Sequence, residues 1–251
     1  MTLNENCKVL IVGDEILSGK RKDGHLSKSI ELLAHSSLVL SEVRYLPDSP
    51  AALVSTFKET FASKQCVFCF GGIGATPDDY TRAAVAEALG VPLHAHQDGV
   101  AILEAKFGKE AYPDRIKMVE FPEGSELIPN PFNQIPGFSI HHHYFLPGFP
   151  QMAWPMMEWV LKTHYAASQN TRLEASVLAE NALEGKLIPV MEAVVKEFPT
   201  LKLFSLPRYT ESGGRELELG VRGEDRELIE KAISMIQKGL DGFGYAWKRQ
   251  N

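Results

Sequence analysis

The sequence predicts an α/β protein with a three-layer, mainly parallel sheet, followed by a small α+β unit. Three observations carry this expectation. Cys7–Val12 and Cys66–Phe70 are continuous apolar runs, the pattern of strands buried on both faces of a parallel sheet. Each run passes through a short turn into helical apolar spacing, the alternation that builds such sheets. Beyond about residue 169 the order becomes strand, helix, strand, strand, helix, a different rhythm. The polar stretch Ala167–Asn170 is the expected boundary, giving domains at 1–168 and 169–251.

Each element has its own signal. Cys7–Val12 ends in Gly13-Asp14-Glu15, and His25–Ala34 then shows helical spacing at Leu26, Ile30 and Leu33. Leu38–Leu46 reads as the second strand, closed by Pro47-Asp48, and Pro50–Phe61 as a helix opened by proline. Cys66–Phe70 runs into Gly71-Gly72-Ile73-Gly74-Ala75-Thr76-Pro77-Asp78-Asp79, and Tyr80–Leu89 is a helix ended by Gly90. His96–Phe107 predicts another helix, Phe138–His142 and Tyr144–Leu146 two strands, and Gln151–His164 a helix. In the tail, Arg172–Leu178, Leu201–Leu206 and Glu216–Val221 are expected strands, and Leu187–Phe198 and Arg226–Leu240 helices. The tail's expected core is Val177, Val190, Val194, Phe204 and Leu219.

Composition narrows the class. The 251 residues are 44% hydrophobic and 23% charged, with a formal net charge of -6. An acidic chain disfavours nonspecific nucleic-acid binding, yet loops bind phosphate through backbone amides whatever the net charge. Three cysteines fit a reducing compartment. Cys66 and Cys69 fall on opposite faces of a strand, so this CxxC reads as core rather than a redox or zinc motif. The start lacks a positive, apolar leader, and no run approaches the roughly 20 apolar residues of a membrane span. A soluble cytoplasmic protein is expected.

The chemistry concentrates at Gly71–Thr81. Glycines at 71, 72 and 74 let the backbone approach a ligand closely. Thr76 as N-cap, Pro77 at N1 and Asp79 in a capping box would place helix-start amides, and their partial positive charge, beside an anion. The spacing is neither a dinucleotide fingerprint nor a Walker loop. Asp78 and Asp79 would repel a phosphate unless a divalent cation, magnesium or similar, lies between them; capping is the competing role for both. Asp14 or Glu15 at the first strand end and Asp48 at the second belong to the same edge by topology.

Gly71–Arg82 resembles the GGLGPTPDDLTR stretch of the CinA-like branch of the MoaB/Mog-type molybdopterin-binding family. Gly13-Asp14-Glu15-Ile16-Leu17-Ser18-Gly19 resembles its opening GDELLxG, Leu146–Met152 its LPGVPxEM, and Asn130 with Ile135–Phe138 its N…APGF. The tail is similar to the small KH-like unit that follows in these proteins, and the sequence ends without the nicotinamide-nucleotide amidase domain that full-length members carry. The resemblance implies a MoaB/Mog-like fold and a homo-oligomer, dimer or trimer. It implies Asp48 and Asp79 as catalytic residues acting through magnesium, and Asp78 and Asp79 as metal ligands. Gly13, Asp14, Glu15, Gly71, Gly72, Gly74, Thr76, Thr81, Pro147 and Gly148 become the ligand-binding residues. Departures fall on the rim: Ala75, Phe149, Gln151, Lys22–His25 and Asn133-Gln134 replace the usual residues.

Three functions follow. One is a metal-dependent nucleotide diphosphate hydrolase acting on ADP-ribose or flavin dinucleotide, for which no general base stands out. Another is molybdopterin binding, with or without adenylyl transfer, in molybdenum cofactor biosynthesis. The third is a non-catalytic nucleotide sensor. Other conspicuous residues have plainer readings. His141–His143 cannot converge on a metal from one regular strand. Met152, Trp154, Met156, Met157 and Trp159 read as packing or a subunit contact. Arg82 is a candidate phosphate contact, with an exposed helix arginine as the alternative.

Overall fold

The computed structural model describes residues 6–36, 38–165, 173–210 and 213–250. The expected boundary at Ala167–Asn170, the first five residues and Arg172 lie outside these. The chain divides into two compact units, residues 1–169 and 170–251.

The first unit runs β1 (Asn6–Val12), α1 (Asp14–Leu17), α2 (His25–Ala34), β2 (Val39–Leu46), α3 (Pro50–Ser63), β3 (Cys66–Phe70), α4 (Thr81–Leu89), β4 (Leu93–Ala95), α5 (Gln97–Phe107), β5 (Glu120–Pro122), β6 (Glu126–Ile128), β7 (Gly137–Ile140), β8 (His143–Leu146) and α6 (Pro150–His164). Six strands form one sheet in the order β2-β1-β3-β8-β7-β6. β1 is parallel to β2 and β3, and β3 to β8, while β7 is antiparallel to both its neighbours. β4 and β5 pair separately. These three-residue strands, and β6, fall in a Pro- and Gly-punctuated stretch too short for any periodicity to show.

Strand alternation splits the core into two layers. Cys7, Val9, Ile11, Cys66, Phe68 and Phe70 pack with Leu33 of α2 and with Met156, Met157 and Val160 of α6. Leu10, Val12, Val67 and Cys69 face the other way, against Leu53 and Phe57 of α3, Val85 of α4 and Leu103 of α5. Cys66 and Cys69 therefore sit on opposite faces, as their spacing requires. Phe138 stacks on Phe145 at 4.5 Å and on Phe121 at 4.7 Å, all fully buried; burial of each such ring stabilises the fold by about 2 kcal/mol.

Three local expectations change. In α2 the buried face is His25, Ser29 and Leu33, whereas Ile30 is exposed; the helical period is right and its phase is shifted. His141 and His142 have φ of 49° and 62° and form the two-residue turn between β7 and β8, the primed geometry that suits a twisted hairpin. His143 opens β8, buried, with Nε2 3.0 Å from Thr60 Oγ1, and burial lowers its pKa to about 4. The histidine run thus belongs to turn and core. Among the described residues no helix is long and apolar enough to cross a membrane.

The second unit runs β9 (Leu173–Glu180), α7 (Glu184–Glu197), β10 (Lys202–Tyr209), β11 (Arg215–Gly223), α8 (Arg226–Gly242) and β12 (Trp247–Gln250). Its antiparallel sheet has the order β10-β11-β9-β12. Val177, Val194, Leu217, Leu219, Ile233 and Ile236 form the core, with Val190 at its edge. Asp225 caps α8, accepting from the Glu227 and Leu228 amides at 2.8 and 3.1 Å. Phe204 is not in this core: Leu203 faces it, so its neighbour points to the other side of the sheet, against Gly220.

Candidate functional site

Because β1, β2, β3 and β8 run parallel, their carboxyl ends share one edge, where ligands bind open α/β sheets. A cleft of about 600 Å³ lies there, within the first unit. It brings together Gly13, Glu15, Asp48, Gly71, Gly72, Gly74, Thr76, Asp78, Asp79, Pro147 and Gly148. Four strand-end turns thus meet, and two backbone bonds tie them. Gly13 N donates to Leu46 O at 3.1 Å, and Gly71 N to Leu146 O at 2.9 Å.

The glycine loop needs its glycines at two positions in particular. Gly71 has φ 103°, and a Cβ there would lie 2.3 Å from Val12 O. Gly72 has φ 67°, and a Cβ would lie 2.3 Å from Thr81 Oγ1. The chain therefore passes closer to β1 and α4 than any side chain permits. Within the loop, Thr81 Oγ1 donates to Gly71 O at 3.0 Å, and Thr81 N to Gly72 O at 3.0 Å. Among the described residues no hydrogen bond takes up the amides of Gly72, Ile73, Gly74 and Ala75.

Several assignments shift once the loop is built. The helix begins at Thr81, not at a Thr76 cap; Tyr80 occupies the N-cap without a side-chain bond. Thr76 and Asp79 instead close a turn. Asp79 N donates to Thr76 O at 3.0 Å, Thr76 N donates to Asp79 Oδ2 at 2.9 Å, and the Thr76 hydroxyl donates to the same oxygen. Thr81 is fully buried and holds the loop from behind rather than facing the cleft. Arg82 turns inward: it is 8% exposed and donates to Gly74 O at 2.6 Å, Glu120 O at 3.1 Å and Lys117 O. The two terminal nitrogens of this guanidinium are taken by three carbonyls, its Nε is buried without a hydrogen-bond partner among the described residues, and the group is turned away from the cleft. The predicted phosphate contact is an anchor, binding the loop to the segment that carries Met118.

The acidic side is compact. Asp14 N donates to Asp48 Oδ2 at 2.9 Å, and Asp48 N to Asp14 Oδ1 at 3.3 Å. Asp14 thus braces Asp48, while Glu15 reaches the cleft wall. Burial pushes the Asp48 carboxyl above its ordinary value; the Asp14 amide opposes this, and the charges of Asp14, Glu15 and Asp78 add to the rise. Among the described residues no three His, Cys, Asp or Glu side chains form a ready metal cage. The donor set still fits magnesium, which is held through one or two carboxylates and completed by ligand phosphates and water.

The remaining wall of the cleft was legible in part: Asn130, Ile135, Pro136 and Met152 fall in stretches that resemble the family's motifs and Phe149 and Asn133 among the departures, whereas Arg21 and Met118 carried no signal. Arg21, Met118, Asn130, Asn133, Ile135, Pro136, Phe149 and Met152 line it. Asn130 is buried; its Nδ2 donates to Asn133 Oδ1 at 2.8 Å and Ile135 O at 3.0 Å, and its Oδ1 accepts from Phe132 N at 3.0 Å. His25 stacks on Phe70 at 4.4 Å and places Nε2 3.2 Å from Gly148 O, fixing the Pro147-Gly148 turn. Burial lowers its pKa, consistent with a neutral ring donating from Nε2.

Comparison with known proteins agrees with this architecture. A family model described as "Probable molybdopterin binding domain" matches residues 8–166. A protein from Sulfolobus acidocaldarius is 28% identical over 252 aligned positions, covering 96% of this chain and 95% of its own length. A CinA-like protein from an Anaeromyxobacter strain is 35% identical over 136 residues, 53% of this chain but only 33% of that relative. The crystal structure of CinA from Thermoplasma acidophilum superposes with a TM-score of 0.58 at 25% identity, covering 63% of this chain and 96% of that one. With the family model matched over residues 8–166 and CinA-like relatives beside it, the chain belongs to the molybdopterin-binding domain family, in its CinA-like, MoaB/Mog-type branch.

Proposed function

We propose that the cleft binds a phosphorylated nucleotide or pterin and, with a divalent cation, hydrolyses a nucleotide diphosphate bond of the ADP-ribose or flavin dinucleotide type. The observation that carries this reading is the meeting of four carboxylates, Glu15, Asp48, Asp78 and Asp79, with the open amides of the Gly72–Ala75 loop in one cleft. Carboxylates beside an anion site repel the anion unless a cation joins them. The unengaged loop amides would take the developing charge of a phosphoryl oxygen. Asp48, Glu15 and Asp78 would hold the cation, which supplies Lewis acidity and charge neutralisation. Asp79, one oxygen already taken by Thr76, keeps its other oxygen for this purpose.

The test is calorimetric titration of ADP-ribose with and without magnesium, followed by turnover. Magnesium-dependent binding that disappears in Asp48→Asn supports the reading; no binding of ADP-ribose, flavin dinucleotide or ATP under either condition overturns it. Family membership supports a second reading, molybdopterin binding with or without adenylyl transfer. A pterin phosphate that binds while ADP-ribose does not would favour it.

A further inference from the structure

We infer that Phe149 and Arg21 form a clamp for a flat heteroaromatic ring beside the glycine loop, and so decide which organic group the cleft accepts. This rests on the phosphate reading above and deepens it. Phe149 lies at the rim just before α6, 53% exposed although it is part of a cleft wall. The Arg21 guanidinium stands 5.7 Å from the centre of its ring. Among the described residues the Arg21 side chain is otherwise engaged by Glu15 alone, at 3.5 Å, with both side chains about half exposed; such a pair is weak and readily exchanged. The ring face and the guanidinium are therefore available to a third plane stacking beside them, and to one between them once the weakly held Arg21 moves outward from its 5.7 Å position.

The neighbouring surface is of the same character. Met118, Ile135, Pro136 and Met152 line this wall, and Met152 is steadied by Asn133 Nδ2, 3.4 Å from its sulfur. The polar atoms of Asn130 are occupied within their own loop. What remains for a ligand is a ring face, a guanidinium plane and aliphatic and thioether surface, chemistry that suits a π-system more than a bare sugar. The clamp's position is fixed too. A Cβ on Gly148 would lie 3.5 Å from the Gly71 Cα, so Phe149 follows a residue packed on the loop itself. Because the clamp and the loop line one cleft, a ring joined to a diphosphate by a short linker is the kind of occupant that would engage both.

The experiment uses three probes with magnesium on the whole chain: inorganic pyrophosphate, ADP and 6-hydroxymethylpterin diphosphate. Phe149→Ala should weaken a ring-bearing probe about tenfold and leave pyrophosphate unchanged, with an unaltered melting temperature. Phe149→Trp should restore the ring-bearing affinity. Arg21→Gln should weaken the same probe about threefold. A loss confined to ADP makes the occupant a purine nucleotide; a loss confined to the pterin makes it a pterin; a loss for both leaves the clamp tolerant of either. Equal losses for all three probes, or no loss in Phe149→Ala while the wild type binds, overturn the clamp and leave the phosphate site standing. Wild-type protein that binds none of the three overturns both.

Discussion

The Gly71–Thr81 loop holds its shape through its own backbone and one buried arginine, whereas the wall facing it is made of side chains that lean on one another at the surface. On the loop side, Thr81 secures Gly71 and Gly72, the Thr76–Asp79 turn closes on itself, and Arg82 clasps Gly74. On the rim side, Arg21 and Phe149 touch across open space and Asn133 meets a thioether. Under the proposed function the difference has a meaning. An anion would need a fixed set of amides, so that geometry would be built into the fold. An organic group would be read by replaceable side chains such as Phe149 and Asn133, where the chain departs from the family's motifs. Loop substitutions should therefore cost stability and binding together, and rim substitutions binding alone.

The largest effect is expected at Gly71. Gly71→Ala forces a methyl group against Val12 O from a backbone with φ 103°. We expect a loss of roughly 3–4 kcal/mol in chemical denaturation, with no response to any phosphate ligand. Stability near wild type would break the comparison at its strongest point. Arg82→Met comes next. It removes the side-chain donor from the carbonyls of Gly74 and Glu120 and one of the two donors to Lys117 O, which keeps the Glu120 amide, at a cost of about 2 kcal/mol. Pyrophosphate affinity should fall as the loop loosens, although Arg82 faces away from the cleft.

How far these features were legible in the sequence follows the same division. β1 and β3 declared themselves as unbroken apolar runs, and the glycines at 71, 72 and 74 stood out because their residue type alone permits a close-packed backbone path. The phase of α2 did not, because the apolar spacing of Leu26, Ile30 and Leu33 marks one face, whereas the core buries Leu33 together with the polar His25 and Ser29, which carry no apolar signal. The capping box at Thr76 had the right residues, but tertiary bonds from Thr81 and Arg82 pulled the chain into a turn first. The inward turn of Arg82 and the exposure of Phe149 depend on what lies opposite in space, which spacing along the chain does not encode.

Asp48→Asn should act in the opposite sense to the loop variants. The folded state holds the Asp48 carboxyl above its ordinary pKa, so the folded state binds this proton more tightly than the unfolded one. Its contribution favours folding at low pH and is lost as pH rises through that raised value. At neutral pH the wild-type charge is therefore a small burden, and Asp48→Asn should melt at or slightly above wild type, within about 0.5 kcal/mol. The gain should vanish toward acid pH, and magnesium should stabilise the wild type but not the variant. A variant less stable than wild type at pH 7 would mean that its bond from the Asp14 amide outweighs the crowding of charge.

The smallest effect on stability is expected at Asp79, and it is the one that divides the loop from the site. Thr76 donates both its amide and its hydroxyl to a single oxygen of this carboxylate. Asparagine offers one carbonyl oxygen in the same place, so Asp79→Asn keeps the turn and should change stability by about 0.3 kcal/mol. The second oxygen is the one a cation would use, and asparagine replaces it with an amide that donates. If Asp79 takes part in cation binding, the magnesium-dependent shift with ADP-ribose should be lost while the melting temperature of the free protein stays put. If it serves only the turn, the ligand response should be that of the wild type. Asp79→Ala separates the cases further, because it removes the turn's acceptor as well and should also lower the melting temperature. A ligand response that survives in Asp79→Asn but not in Asp79→Ala would place this aspartate with the backbone of the loop, leaving the cation to Asp48, Glu15 and Asp78.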